Sequence, residues 1–179
     1  INLGAAIHIL DSIGMDFVLK KDMDLTNYCL NKMLKYNDVV IYGETCTETC
    51  PRAGTISFNI KKMNHGLVAA ILNDYFNIAV RNECFCAHPY VEKMLELTHS
   101  EEINHAKEKL HQMAWHTEPW MGMVRVSFGM YNDKTEVDLF IAAIKDIIIN
   151  SDNYSKKYTI NIHGDYTHKD FSFSSKDYF

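Results

Sequence analysis

Proline and glycine are scarce in this chain, with 3 prolines and 8 glycines among 179 residues. That scarcity, together with 47% apolar and 12% aromatic residues, excludes a disordered, collagen-like or low-complexity chain. No long uncharged apolar run is present, so we expect no membrane span. The start has no basic segment ahead of its apolar stretch, and we therefore expect a cytoplasmic protein without a secretory signal. Because the first residue is not Met, we expect the chain to be cut from something longer.

The charge and the cysteine content exclude further classes of protein. The chain has 18 Lys and Arg against 23 Asp and Glu, a net charge of −5. No continuous basic face is available for phosphate backbones, so nucleic acid is not an expected partner. Five cysteines are an odd number, and without a secretory signal they are typical of cytosolic thiols rather than of a disulfide framework.

Apolar periodicity predicts intermixed helices and strands. The first helical stretch is expected at residues 1–36, with breaks at 11–14 and 21–24. Further helices are expected at residues 64–76, 89–97, 100 to before Pro119, and 133–150. Asn64 is the expected N-cap of the helix at 64–76, and a capping box begins the helix at 133–150. Strands are expected at residues 37–43, 54–60, 77–81 and 123–129. The order lacks a regular βαβ repeat, which favours an α+β fold with a small, mostly antiparallel sheet and helices packed on one face. We predict one domain over residues 1–150 and a hairpin-like appendage over 151–179.

Cys86 is the first candidate for chemistry, because it follows a predicted strand and precedes a helix that begins with proline. Helix N–H groups and Arg81 would stabilise the nucleophilic thiolate, whereas Glu83 would oppose it. A small buried packing residue is an interpretation at least as good for these residues alone. The sequence therefore leaves both roles open.

Arg125 is the second candidate, because strand alternation places it on the opposite side from Val124, Val126 and Phe128. A guanidinium there can hold a carboxylate through two parallel hydrogen bonds. A surface salt bridge is the simpler interpretation of the same residue. Asn132 is expected to be a turn residue or a helix cap.

A structural zinc site is the alternative that the cysteines suggest. The pairs Cys46 with Cys50 and Cys84 with Cys86, together with His88, have the ligand types that zinc prefers. Their spacings are not those of common zinc pairs, so two loops that contain thiols by chance are the better interpretation. Four further histidines, which we expect to be solvated, do not stack on one helix face: His99, His105, His111 and His116. Neither a glycine-rich phosphate loop nor a nucleophile elbow is present.

Several short segments resemble one enzyme family in their order. The segments IAVR at residues 78–81, CAHP at 86–89, VRVSFGMYN at 124–132 and EVD at 136–138 resemble the C-terminal domain of class V aminotransferases. Within that family they are most similar to cysteine desulfurases and selenocysteine lyases. The segment RAGTISFN at residues 52–59 resembles an earlier strand of the same domain, and the resemblance covers residues 1 to about 150.

The resemblance implies the small domain of a fold-type I enzyme that depends on pyridoxal phosphate (PLP). It implies an amino acid substrate, a homodimer in the full-length form and a sulfur-acceptor protein as a further partner. In desulfurases the thiol at the position of Cys86 attacks the sulfur of cofactor-bound cysteine and leaves a persulfide and alanine. By the same resemblance Arg125 binds the substrate carboxylate and Arg81 lies beside the active site.

Two departures from the family keep alternatives open. The desulfurase loop usually reads RxGHHC, whereas residues 81–86 read RNECFC, so Glu83 replaces the glycine and both histidines are missing. An aminotransferase or another lyase, in which Cys86 only packs, therefore stays an alternative. The Schiff-base lysine of the family follows a histidine in the large domain, upstream of this chain. We expect the small domain alone to fold without turning over substrate, and a free-standing cysteine-rich zinc-binding or interaction module is the alternative from another class.

Overall fold

The computed structural model describes residues 2–46, 50, 52–98, 121–161 and 164–170. The helices are α1 (Asn2–Ile13), α2 (Met15–Met33), α3 (His65–Phe76), α4 (His88–Thr98), α5 (Lys134–Ile149) and α6 (Ser151–Lys157). The strands are β1 (Val39–Tyr42), β2 (Thr55–Ile60), β3 (Val124–Ser127), β4 (Tyr158–Ile160) and β5 (Tyr166–His168). Helices mixed with small antiparallel sheets confirm the predicted α+β class.

The first two helices meet at Gly14, where the predicted break between residues 11 and 14 is confirmed. Gly14 has a φ of 90°, a conformation that glycine adopts without steric cost, and α1 and α2 are bent by 81° at this point. The predicted break at residues 21–24 is wrong, because α2 continues to Met33 and these residues include no glycine or proline. Among the described helices, no single one is long and apolar enough to cross a membrane, although the bent pair passes by length and composition.

The main sheet has the order β1-β2-β3 with both pairs antiparallel. The strand predicted at residues 77–81 is wrong, since only Arg81 pairs with the sheet, through a bridge to Arg125. Asn77 ends α3 in the left-handed conformation with a φ of 54°, and the Ile78 N–H donates to the Leu72 carbonyl. The start of the segment after α3 is thereby tied to the end of that helix, and the chain meets β3 only from Arg81 onward.

One face of the main sheet carries the principal core. The alternating residues Ile56, Phe58 and Ile60 are buried there against α2, α3 and α5. The predicted caps are confirmed: the Asn64 side chain accepts from the Gly66 N–H, and residues 133 and 136 form the capping box of α5. These local signals fix where the two helices that cover the sheet begin.

The opposite face of the sheet carries a second, smaller cluster, and α4 packs on it. Its buried members are Tyr42, Cys84, Val91, Leu95 and Met123. The strand register explains the separation, because side chains alternate between the two faces along each strand. This second face positions the candidate site.

The C-terminal segment adds α6 and the antiparallel pair of β4 with β5. The tyrosines Tyr154 and Tyr158 are buried in the principal core, and their hydroxyls donate to Asp146 and Asp74. The division of the chain at residue 150 stays a prediction. The helix predicted from residue 100 to before Pro119, with its histidines, lies outside the described residues.

Candidate functional site

A tight turn at residues 84–87 presents Cys86. The Ala87 N–H donates to the Cys84 carbonyl at 2.7 Å, and the two central residues, Phe85 and Cys86, have φ values of 52° and 61°. A turn with this bond and two positive φ values is of type I′, which favours glycine, asparagine and aspartate. Phe85 and Cys86 each hold a left-handed conformation that costs an L-residue roughly 1–2 kcal/mol. Backbone strain of this kind clusters at functional sites.

The residue before the turn is also strained. Glu83 has a φ of 78°, and its carbonyl accepts from the Met123 N–H at 3.1 Å. A Cβ on Gly122 would lie 2.8 Å from the Cα of Glu83, so only glycine permits this close approach. The hydrogen bond and the close contact hold the start of the turn against the residues that lead into β3.

Cys86 is the accessible thiol of this turn. The Cys84 side chain is only 4% exposed and its Sγ donates to the Met121 carbonyl, whereas Cys86 is exposed. Burial raises the pKa of the Cys84 thiol, and the charges of Glu83 and Glu92 raise it further. The position of Cys86 disagrees with a buried packing role and leaves its sulfur open to a reactant.

The two candidate arginines lie side by side. Arg81 and Arg125 exchange both backbone hydrogen bonds, at 3.0 and 2.7 Å, so their side chains leave the same face of the sheet. In the strand register Ser57 is opposite Arg125, and Tyr42 is opposite Ser57. The sheet therefore carries a row of four neighbouring residues on the face that the turn covers: Arg81, Arg125, Ser57 and Tyr42.

The Arg125 guanidinium lies over the aromatic ring of Phe85, a residue of the turn. Its Cζ lies 4.9 Å from the centroid of the Phe85 ring. Its Nε is buried and has no hydrogen-bond partner, and within the described ranges Arg125 forms no ion pair. This finding disfavours the surface salt bridge that the sequence also allowed. The result is a cation available to a ligand carboxylate, one turn residue away from Cys86.

Polar groups that the sequence analysis missed lie below the turn. The Asn59 Nδ2 donates to the Tyr42 hydroxyl at 3.1 Å and to the Gly122 carbonyl at 2.9 Å. The Asn59 Oδ1 is buried and has no hydrogen-bond partner among the described residues. Burial raises the pKa of Tyr42, and the hydrogen bond from Asn59 partly lowers it. A neutral phenol is therefore expected at neutral pH. The signal for this network was the polar residues that alternate with the apolar residues of β2.

The zinc alternative has no support in the described residues, which contain no group of three His, Cys, Asp or Glu side chains able to hold a metal ion. Cys46 and Cys50 are both exposed and are joined by a backbone hydrogen bond of 3.2 Å, whereas Cys84 is buried in the second cluster. The buried Cys29 is likewise unsuited to chemistry, since burial raises the pKa of its thiol to about 12.

Known proteins are similar to most of this chain. The family model described as aminotransferase class-V matches residues 1–140. Cysteine desulfurases of Salmonella newport and Salmonella typhi are each 31% identical to it over 147 residues, which is 82% of this chain and 29% of the relative. The chain thus spans less than a third of the length of these relatives.

Solved structures are similar in fold. A cysteine desulfurase from Thermococcus onnurineus NA1 has a TM-score of 0.63 and 25% identity, and the match covers 83% of this chain and 30% of that one. A cysteine desulfurase of Escherichia coli has a TM-score of 0.60 at 19% identity, with 82% of this chain and 29% of the other covered. The second likeness concerns the fold alone.

Proposed function

Because the chain belongs to the class V aminotransferase family, we propose that it is the substrate-gating small domain of a PLP-dependent, cysteine desulfurase-like enzyme. The observation that carries the proposal is the turn that presents an exposed thiol, Cys86, directly after Phe85, the residue whose ring lies against the Arg125 guanidinium. A nucleophile on a turn and a carboxylate anchor on the strand beside it are what a reaction at the sulfur of an amino acid requires.

The two side chains have distinct roles in this proposal. Arg125 binds the α-carboxylate of the substrate through its in-plane N–H groups, and Arg81 adds a second positive charge beside it. The Cys86 thiolate attacks the substrate sulfur, forms the new S–S bond and becomes a persulfide. The carbon–sulfur bond breaks with its electron pair on the substrate carbon, and protonation of that carbon gives alanine.

The cofactor would belong to another part of the enzyme. PLP supplies an electron sink for the carbanion and is held through a Schiff base with a lysine. None of the site residues described above is a lysine, so this chain alone does not fit PLP. The cofactor would come from the large domain, and we propose that the isolated chain does not turn over substrate.

The exposed apolar residues of the N-terminal helix support the proposal that this chain is one domain of a larger enzyme. The described residues of α1 include no buried side chain. Several apolar residues of α1 and the start of α2 are more than half exposed, among them Leu3, Ile7, Met15 and Phe17. A short apolar helix of this kind is marginal in water without a partner surface. We propose that this surface packs against the rest of the enzyme, which would act as a homodimer and pass sulfur to an acceptor protein.

A second candidate within the family is supported by the sequence of the loop. Glu83 stands in place of the usual glycine and the two usual histidines are absent, which favours a PLP-dependent reaction on another amino acid in which Cys86 does not react. The turn would then be retained for its contact with Arg125.

The test is the release of alanine and sulfide from L-cysteine by the complete enzyme in the presence of a reductant. We expect release by the unaltered enzyme and by Cys46→Ser, which removes another exposed thiol, and a loss of release in Cys86→Ser. Equal release from Cys86→Ser would refute the role of this thiol. No release from any of the three, with PLP bound, would favour the second candidate.

A further inference from the structure

We propose that Phe85 is a positioning residue that orients the Arg125 guanidinium for a carboxylate ligand. This inference rests on the proposed function, because that function makes Arg125 the carboxylate anchor. Phe85 itself is apolar and has no group that reacts. Its part is to determine the direction in which the cation presents its donors.

The position of the guanidinium over the Phe85 ring suits this role. The Cζ of Arg125 lies 4.9 Å from the Phe85 ring centroid, within the range of a cation–π contact. A guanidinium that lies over an aromatic ring keeps its N–H groups in its own plane available for a bidentate carboxylate. An acidic partner would hold the cation equally well but would occupy those donors. Phe85 thus restrains Arg125 without competing with a ligand.

The backbone conformation indicates that the position of the ring is maintained at a cost. Phe85 has a φ of 52° at the first central position of the turn, where asparagine or glycine is favoured. The ring is half-buried against the second cluster, and the following residue is Cys86. The same residue therefore links the turn that presents the thiol to the side chain that would bind the carboxylate.

The burial of the Arg125 Nε allows a test by hydrogen exchange that does not depend on enzyme activity. This atom is buried and has no hydrogen-bond partner in the described part of the chain. If the Phe85 ring keeps the guanidinium in place, exchange of the Nε–H with solvent is slow and its NMR signal is visible in the 179-residue chain. We expect Phe85→Leu to accelerate this exchange and Phe85→Tyr to retain slow exchange. Tyr90→Leu, which removes an aromatic ring that is 62% exposed on α4, is the matched control and leaves exchange unchanged.

Kinetics of the complete enzyme provide the second arm. Because a carboxylate anchor acts on the bound substrate and the transition state alike, we expect Phe85→Leu to raise KM for the amino acid by about fivefold to tenfold, with kcat within about twofold. Phe85→Tyr should restore KM, and Tyr90→Leu should not change it.

The exchange and kinetic measurements distinguish a failure of this inference from a failure of the proposed function on which it rests. Equal Nε–H exchange in Phe85→Leu and the unaltered chain would overturn the positioning role, whether or not the enzyme is active. Faster exchange with an unchanged KM would also overturn it. An enzyme inactive on every amino acid would refute the proposed function, and the exchange rates would then decide whether Phe85 holds Arg125.

Discussion

Replacement of Cys86 by glycine should stabilise the protein, although it removes the proposed nucleophile. Cys86 has a φ of 61° at the second central position of a type I′ turn. Its side chain is exposed, so its removal leaves no cavity. The main energetic consequence is therefore the release of backbone strain.

The size of the effect follows from two opposing quantities. A non-glycine residue in the left-handed region costs roughly 1–2 kcal/mol, and the greater chain entropy of glycine in the unfolded state offsets roughly 0.5–1 kcal/mol of this. A net gain of about 0.5–1 kcal/mol in the free energy of unfolding remains. For a chain of this length the gain corresponds to a rise in Tm of about 2 °C.

The assay is urea unfolding of the 179-residue chain, with Cys86→Ala as the matched control. Alanine removes the thiol but stays in the strained conformation, so Cys86→Ala should unfold at the same urea concentration as the unaltered chain. Cys86→Gly should unfold at a higher concentration with an unchanged slope. If Cys86→Gly is no more stable than Cys86→Ala, the turn is not strained as described and the reasoning fails.

Three further predictions concern other parts of the structure. Gly122→Ala should lower the free energy of unfolding by about 1–3 kcal/mol, because the new Cβ would meet backbone that cannot move aside cheaply, and an unchanged urea midpoint would contradict this. The Glu136 N–H donates to Asp133 and holds the pKa of that carboxyl below its ordinary value. Asp133 therefore adds stability above a pH of about 4, and this stability is lost as the pH falls through the lowered pKa. Asp133→Asn keeps a cap but cannot titrate, so acid unfolding followed by circular dichroism should depend less on pH in that variant. The isolated chain should self-associate through α1. Sedimentation should show weaker association for Ile7→Lys than for Leu139→Lys, which changes a similarly exposed residue on α5. Equal association of the two variants would exclude α1 as the contact.

The parts of the fold that the sequence predicts correctly are those with local signals. The cap of α3 at Asn64 and the capping box of α5 are defined by side chains that bond to backbone within three residues. The family resemblance rests on ordered motifs and is confirmed by the match over residues 1–140. The strand predicted after α3 fails, because alternation alone does not reveal that Asn77 turns the chain in the left-handed conformation.

The parts of the site that the sequence does not predict depend on tertiary contacts. A Phe–Cys pair is not a signal for a type I′ turn, so the turn at Cys84 is imposed by its surroundings, including the close approach of Gly122. The contact of Arg125 with the Phe85 ring joins residues that are 40 positions apart, through a strand register unknown before the structure. Whether Cys86 reacts stays a prediction.

The central claim is that Cys86 receives the substrate's sulfur. Its most direct test is mass spectrometry of the complete enzyme after incubation with L-cysteine without reductant, with thiols trapped and the chain digested. The account predicts a mass gain of one sulfur atom on the peptide that contains Cys84 and Cys86, retained in Cys84→Ser and absent from Cys86→Ser. A persulfide on any other cysteine, or none on this peptide while alanine is released, would contradict the account.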